Sequence, residues 1–268
     1  MMRRQVEIDS DWGTVDIHAT ETGSGARAVV LVHGWATTST VWQPLLARWP
    51  ADFGRAVAID LPGVGWSSKP EGGYTLSRWA ACVAGVVQQL AAEDDVEEVI
   101  LVGHSMGGTI CQLAASSLQE VIDKLVLLSP VPASGVPLPD AAVAGFKSLA
   151  GTRGGMAQVL DSMMAGEVDS TERAMLVAAA ASVSPTAYRE GLDAWRTADF
   201  ADRLADLGVP TQVFCGADEQ PLSPDLLRAT VLAQIPGSTL QTLPGVGHYP
   251  QLEGCDALMS ALRGAIVG

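Results

Sequence analysis

The sequence predicts an α/β protein with a largely parallel sheet, and three patterns in it support this fold class. Short apolar runs alternate with longer segments of helical periodicity through much of the chain. The runs lack the polar alternation of a half-exposed strand, so we expect them to be buried on both faces of the sheet. One long segment without a strand-like run interrupts the alternation, and it predicts a helical insertion.

The order of these segments gives the predicted elements. Residues 6–8 and 14–19 are expected to form an opening hairpin. Buried strands are expected at residues 28–32, 56–59, 99–102, 124–128 and 211–215, and a shorter, more polar strand at 239–243. Helices are expected between them at residues 41–48, 76–92, 106–118 and 226–235.

The interruption covers residues 131–207, far longer than the roughly 2 to 6 residues of an ordinary strand-to-helix connection. Helices are expected within it at residues 140–150, 155–165, 171–183 and 185–196. Two of these begin with typical start signals, which are Asp169 before Glu172 and Ser184 before Pro185. We therefore expect a core formed by residues 1–130 and 208–268, and an all-helical cap formed by residues 131–207.

Composition and charge exclude several classes of protein. The chain has 268 residues, of which 48% are hydrophobic, enough for one large buried core and too many for a disordered chain. Its formal net charge of −14 opposes binding to phosphate backbones and anionic lipids, so neither nucleic acid nor a membrane is an expected partner. The longest apolar run, residues 174–181, is too short to cross a bilayer.

The termini and the cysteines indicate a cytoplasmic protein without a metal or cofactor. Acidic residues follow Arg3 and Arg4 where a secretory signal needs an apolar stretch. The four cysteines lack the spacing of metal ligands and are expected to be small buried side chains; they are Cys82, Cys111, Cys215 and Cys255. No zinc-protease, Walker or dinucleotide-binding motif is present, so we expect no metal and no nucleotide.

A nucleophilic serine is indicated by residues 103–107, whose sequence GHSMG matches the G-x-S-x-G pattern. The pattern lies between a predicted strand and a predicted helix, where the serine must occupy a sharp turn. Glycines at 103 and 107 allow the neighbouring backbone to approach that turn closely. The start of the following helix favours negative charge at the serine oxygen. Ser105 is therefore the predicted nucleophile.

The general base follows by elimination among the four histidines. His18 lies in a predicted hairpin strand, and the turn directs the side chain of His104 away from Ser105. His33 ends another strand, where it is expected to shape the loop. His248 lies in a glycine-rich loop after the last strand, and such loops at the carboxyl ends of parallel strands carry functional residues. It is the predicted general base.

The third member of the triad should be a carboxylate on a loop near the histidine loop. Asp218 follows the strand at 211–215 and gives the chain order serine, acid, histidine, so it is the predicted acid. Glu219, the next residue, is the alternative. Backbone donors for the developing oxyanion are expected from the amides of Met106 and Trp35, the latter in the loop that begins at His33. The Trp35 side chain is also expected to line the substrate pocket.

Together these motifs resemble the α/β-hydrolase fold family over almost the whole chain. The matching segments are HGW at 33–35, DLPGVGWS at 60–67, GHSMGG at 103–108, GAD at 216–218 and GH at 247–248. The resemblance implies an eight-stranded, mostly parallel sheet, with a helical cap inserted after the sixth strand. In its HGW and GHSMGG motifs the chain is also similar to small carboxylesterases, including a carrier-protein methyl esterase.

The predicted activity is that of a serine hydrolase that cleaves a small, largely apolar, neutral ester or lactone through an acyl-enzyme. A carrier-protein methyl esterase or thioesterase is an alternative, although residues 131–207 carry six basic and ten acidic residues, which does not suit an acidic partner. Perhydrolase, carbon–carbon hydrolase or lyase chemistry on the same triad, and a non-catalytic receptor, are further alternatives. The side chains expected to bind substrate are Trp35, Met156, Met163, Met164 and Trp195.

Overall fold

A single eight-stranded sheet lies at the centre of the protein in a computed structural model that describes residues 1–268. The strands are β1 (Met2–Ser10), β2 (Gly13–Thr22), β3 (Arg27–Val32), β4 (Arg55–Ile59), β5 (Glu98–His104), β6 (Lys124–Leu128), β7 (Thr211–Gly216) and β8 (Thr239–Leu243). Their spatial order is β1-β2-β4-β3-β5-β6-β7-β8. Strands β1 and β2 pair antiparallel, as do β2 and β4, and every other pairing is parallel.

The predicted fold class is confirmed, because the sheet is mostly parallel and is flanked by helices. The middle strands are apolar along their length and fully buried; residues 28–32 of β3, for example, are 0% exposed. Such strands form where helices cover both faces of a sheet. The helices outside residues 131–207 are α1 (Gln43–Ala47), α2 (Leu76–Ala91), α3 (Met106–Ala115), α8 (Pro224–Leu227), α9 (Pro250–Glu253) and α10 (Cys255–Ile266).

Four α-helices lie between β6 and β7, in the segment that we call the helical insertion (residues 131–207). They are α4 (Asp140–Ser148), α5 (Arg153–Met163), α6 (Ser170–Ala180) and α7 (Pro185–Arg196). The two start signals act locally, since the Asp169 carboxylate accepts hydrogen bonds from the amides of residues 171 and 172, and the Ser184 hydroxyl accepts from residue 187.

The structure also contains elements that the sequence patterns did not predict. Helix α10 was missed, although Leu258, Leu262 and Ile266 follow one another at helical spacing and are all 0% exposed. The helix expected at 226–235 begins two residues earlier, at Pro224, and includes a π-helical turn at Arg228–Leu232 that the sequence did not predict. Three of the cysteines are buried, but Cys255 is only partly so. None of the helices is both long enough and apolar enough to span a membrane.

Candidate active site

Ser105 occupies the turn between β5 and α3 in a strained backbone conformation. Its φ and ψ angles are 55° and −123°, which few residues other than glycine adopt. The neighbouring glycines make this turn possible. A Cβ atom on Gly103 would lie 2.6 Å from the Gly107 carbonyl oxygen, and one on Gly107 would lie 2.3 Å from the His33 carbonyl oxygen. The turn therefore places the serine side chain at the carboxyl end of β5, next to the start of α3.

His248 lies beside Ser105, where the sequence predicted a base. Its Nε2 atom is 3.0 Å from the Ser105 hydroxyl oxygen, a hydrogen-bond distance. The histidine is 4% exposed and the serine 9%, so the pair is largely shielded from water. His248 lies in the loop between β8 and α9, and Ser105 follows β5. Because the carboxyl ends of these strands lie at the same edge of the sheet, the loop brings the His248 ring to the serine. This arrangement allows the imidazole to take the serine proton.

The carboxylate beside His248 belongs to Glu219, and the expectation that Asp218 would make this contact is wrong. The two oxygens of Glu219 lie 3.0 and 3.2 Å from His248 Nδ1. The amide of Asp218 donates to the Val246 carbonyl at 3.0 Å, which prolongs the pairing between the segments after β7 and β8. Asp218 lies in the turn that follows β7 and is exposed, whereas Glu219, the residue after this turn, is buried.

The environment of Glu219 keeps it charged despite its burial. Burial raises the pKa of the Glu219 carboxyl. The charge of His248 and the hydrogen bonds from His248 and the Leu222 amide lower the pKa, and together they outweigh the effect of burial. The net pKa therefore lies below its ordinary value of 4.5. An ionised carboxylate at this position holds the Nδ1 proton of His248 and can stabilise the imidazolium that forms when Ser105 is deprotonated.

The amides expected to bind an oxyanion are those of Trp35 and Met106, and neither donates to a protein acceptor. Helix α3 begins at Met106, so its amide belongs to the unpaired first turn of that helix. The segment at Trp35 approaches the nucleophile closely, because a Cβ on Gly34 would lie 2.9 Å from the Ser105 Cβ. Two unpaired amides therefore flank Ser105.

His33 shapes the loop that carries the Trp35 amide, as the sequence predicted. The Leu61 amide donates to His33 Nε2 at 3.1 Å, so the ring proton is on Nδ1, which donates to the Gly34 carbonyl at 2.8 Å. Burial lowers the pKa of His33, which keeps the ring neutral. The fixed Gly34 carbonyl in turn orients the peptide group that contains the Trp35 N–H.

His104 is turned away from Ser105 and contacts the histidine loop instead. Its Nε2 atom donates to the His248 carbonyl at 2.8 Å. Burial and the neighbouring His248 ring lower the pKa of His104 well below its ordinary value, so the ring is neutral. Nothing in the sequence predicted this contact, which joins the nucleophile turn to the loop of the general base. No group of three or more potential ligands is arranged to hold a metal ion.

A cavity of about 360 Å³ opens onto the serine and the histidine. Its lining consists of Trp35, Ser105, Val131, Val136, Leu138, Phe146, Ser162, Met163, Trp195, Pro221, Leu222 and His248. Of the side chains expected to bind substrate, Trp35, Met163 and Trp195 are therefore present. The expectation was wrong for Met156 and Met164: Met156 is packed inside the insertion at 1% exposure, and Met164 packs against the hydrophobic core.

Apart from Ser105 and His248, the remaining lining residues were not among the side chains expected to bind substrate. Three of them lie at residues 131–138, in an apolar stretch with two prolines that follows β6. Because functional sites lie at the carboxyl ends of parallel strands, the position of this stretch could have indicated a cavity wall. Pro221 and Leu222 follow Glu219 in the same loop. Cavity walls therefore come from the loop after β7 and from the first residues of the insertion, as well as from the helices of the insertion.

Comparison with known proteins matches residues 29–261 to the alpha/beta hydrolase family. The pimeloyl-[acyl-carrier protein] methyl ester esterase of Pectobacterium carotovorum is 30% identical over 247 residues, covering 88% of this chain and 92% of that protein. The non-heme chloroperoxidase of Burkholderia pyrrocinia is 27% identical over 275 residues, covering 94% and 92%. An esterase structure from Exiguobacterium antarcticum has a TM-score of 0.87 at 23% identity, covering 99% of this chain and 100% of that one, which shows a shared fold.

Proposed function

Because the chain belongs to the alpha/beta hydrolase family, we propose that it is a serine hydrolase acting on a small, neutral, largely apolar carboxylic ester or lactone. One observation carries this proposal. The Ser105 hydroxyl is 3.0 Å from His248 Nε2, and His248 Nδ1 is 3.0 Å from the Glu219 carboxylate. A nucleophile, a base and an orienting acid are thus in contact in the order that acyl transfer requires.

The first half of the reaction transfers the acyl group to the serine. His248 takes the proton of Ser105 as the serine oxygen attacks the ester carbonyl carbon. The carbonyl oxygen becomes an oxyanion, to which the Trp35 and Met106 amides donate hydrogen bonds. Collapse of this tetrahedral intermediate breaks the bond to the alcohol oxygen, which receives the proton from His248. The product of this half is an ester between the acyl group and Ser105.

Water completes the reaction by the same route. His248 takes a proton from a water molecule, whose oxygen attacks the acyl-enzyme carbonyl, and the same amides bind the second oxyanion. Ser105 leaves and recovers its proton from His248, and the carboxylic acid is released. Throughout, the negative charge of Glu219 stabilises the imidazolium and keeps the Nδ1 proton in place. For a lactone, the alcohol and the acid remain parts of one product.

The cavity supports a neutral and apolar substrate. Apart from Ser105 and His248, its only polar side chain is Ser162, whose hydroxyl donates to the Val159 carbonyl at 2.8 Å. No carboxylate, lysine or arginine lines the cavity to pair with a charged substrate group. Its volume of about 360 Å³ lies near the lower end of the range of roughly 300 to 1,000 Å³ for ligand pockets. These features favour short or medium acyl and alcohol groups.

We propose that the helical insertion acts as a cap over this cavity, with the rest of the chain as the hydrolase core. Three of its helices contribute lining side chains, which are Phe146 from α4, Met163 from α5 and Trp195 from α7. An apolar wall of this kind discriminates between substrates by size, at roughly 1 to 3 kcal/mol per methylene.

A carrier-protein methyl esterase is the second candidate, favoured by the activity for which the Pectobacterium relative, at 30% identity, is named. The charge of the insertion opposes it, because six basic and ten acidic residues give residues 131–207 a net charge of −4. Carrier proteins are acidic partners that a cap of this charge repels. A methyl ester presented on an acidic carrier protein is therefore expected to be a poorer substrate than the same ester free in solution.

Hydrolysis of p-nitrophenyl acetate by the wild type and by Ser105→Ala tests the proposal. We expect turnover by the wild type, its loss in Ser105→Ala, and stoichiometric labelling of the wild type at Ser105 by a fluorophosphonate. Ser116→Ala, at the end of α3, is a matched control that should behave as wild type. Turnover that survives in Ser105→Ala, or a wild type that is neither labelled nor active, would contradict the proposed activity.

A further inference from the structure

Glu253, the last residue of α9, accepts hydrogen bonds from four backbone amides that belong to two different loops. Its Oε2 atom accepts from Ala165 at 2.9 Å and from Gly166 at 2.6 Å, in the stretch that we call the insertion loop (residues 164–166). The same atom accepts from Gly247 at 3.0 Å, and Oε1 accepts from Tyr249 at 2.8 Å, in the histidine loop (residues 244–249). One carboxylate thus joins the insertion to the loop of the general base.

The two loops are also in direct contact around this carboxylate. A Cβ on Gly247 would lie 2.7 Å from the Ala165 amide nitrogen and 2.8 Å from Glu253 Oε2, so only glycine allows the loops to approach this closely. The His248 amide donates to the Met163 carbonyl at 3.3 Å. Met163 lines the cavity and ends α5, so the residue that carries the imidazole is bonded directly to a wall of the cavity.

We propose that Glu253 is a positioning residue that couples the seating of the insertion to the placement of the His248 ring. The inference rests on the proposed function in so far as it takes Ser105 and His248 as the reacting pair. Hydrogen bonds from amides to a carboxylate are stronger than those between neutral groups, and here they fix residues on both sides of His248. Glu253 lines no part of the cavity and acts only through the backbone that it holds.

The coupling has a direct structural consequence. When the insertion loop moves away from Glu253, the carboxylate loses two of its four donors and the His248 amide loses its hydrogen bond to the Met163 carbonyl. The histidine loop is then held by fewer contacts, and the 3.0 Å contact between His248 and Ser105 is no longer fixed. Full catalytic competence therefore requires the insertion to be seated over the cavity, and displacement of the reacting groups by about 1 Å costs roughly 100-fold in rate.

The substitution Glu253→Gln tests this coupling, since it preserves size but replaces one acceptor oxygen by a donor that faces the amides. Backbone hydrogen exchange, measured on peptides covering residues 160–168 and 244–250, is expected to accelerate in both. Fluorophosphonate labelling of Ser105 and kcat for p-nitrophenyl acetate are expected to fall together, by about 10- to 100-fold. KM is expected to change less than about threefold, because Glu253 does not contact the cavity.

Two further variants make the test specific. Asp161→Asn removes an exposed ion pair with Arg173 that lies wholly within the insertion, so it is the matched control and should leave kcat unchanged. Gly166→Ala perturbs the contact from the other side, because the added Cβ would lie 3.2 Å from Glu253 Oε2. It should lower labelling and kcat in the same direction, and it decides the question if Glu253→Gln does not fold.

Distinct outcomes separate the failure of this inference from the failure of the proposed function. Faster exchange in only one of the two loops, or normal labelling in Glu253→Gln, overturns the coupling. A wild type that is not labelled refutes the proposed hydrolase activity, while the exchange data still test whether Glu253 joins the loops. Faster exchange in both loops with slower labelling and little change in KM supports the coupling.

Discussion

The assignment of Glu219 rather than Asp218 as the triad acid predicts a large loss of activity on substitution of one residue and almost none on substitution of its neighbour. Glu219→Gln preserves the shape of a side chain whose oxygens lie 3.0 and 3.2 Å from His248 Nδ1, but removes its charge. Asp218→Asn changes an exposed side chain that does not contact the histidine. Both substitutions convert a carboxylate to an amide, so they form a matched pair.

The expected loss follows from the distance. A unit negative charge about 3 to 4 Å from the imidazolium stabilises it by roughly 4 to 5.5 kcal/mol at an effective dielectric of about 20. At about 1.4 kcal/mol per tenfold change in rate, removing this charge lowers kcat by about 10³- to 10⁴-fold. The amide group can also favour the wrong imidazole tautomer, and a loss of about 10⁴-fold accompanies the corresponding change in a serine-protease triad. Asp218→Asn should leave kcat within about twofold of wild type.

The assay is steady-state hydrolysis of p-nitrophenyl acetate at neutral pH, with the concentration of folded enzyme fixed by circular dichroism and thermal unfolding. Glu219→Asp provides a second check, because it retains the charge but shortens the side chain by one methylene, and its kcat should fall between those of wild type and Glu219→Gln. A larger loss in Asp218→Asn than in Glu219→Gln would refute the assignment.

Three further predictions concern the cavity, the loop beside the nucleophile and the pH dependence of stability. Met163→Ala should shift the optimal acyl chain length of p-nitrophenyl esters, whereas Met156→Ala, at a residue 1% exposed and outside the cavity, should leave the profile unchanged and cost about 2 to 5 kcal/mol in urea unfolding. Gly34→Ala should lower kcat by at least about tenfold with wild-type circular dichroism, because its Cβ would lie 2.9 Å from the Ser105 Cβ; an unchanged kcat would contradict this packing. His104 has a lowered pKa, so below its ordinary value of 6.5 the unfolded chain binds a proton that the folded chain does not, and the wild type loses stability as the pH falls. Urea unfolding should show a smaller loss of stability in His104→Gln than in the wild type between pH 6.5 and 5, and identical pH slopes would contradict it.

Much of the architecture could be predicted because the relevant signals are local. Apolar runs such as 28–32 have one stable location in an α/β fold, the interior of a covered sheet. The G-x-S-x-G pattern and the glycine-rich loop at His248 fix backbone geometry by themselves, and their positions after strands place them at one edge of the sheet. The contact between Ser105 and His248 could therefore be predicted from the topology.

The acid and the cavity walls depended on information that is not local. Asp218 and Glu219 have the same chemistry and differ by one position, so only the backbone conformation of the turn after β7, where the Asp218 amide donates to the Val246 carbonyl, decides which side chain faces inward. The four methionines of the insertion are similarly indistinguishable by composition, and helix rotation and packing direct Met163 to the cavity but Met156 to the interior of the insertion. Neither rotation nor register can be read from residue types alone.

The attachment of the insertion to the sheet has a consequence for how such a protein can be redesigned. Strands β6 and β7 are immediate neighbours, and Thr211, where the chain re-enters the sheet, pairs with Leu125, three residues before Leu128 where it leaves. The two ends are therefore held within about 10 Å along the strand direction, whatever lies between them. Closing a longer loop between fixed ends adds only about 0.6 kcal/mol for each doubling of its length. Exchanging the segment for one of another length is thus expected to alter what covers Ser105 while the strand order and register stay the same.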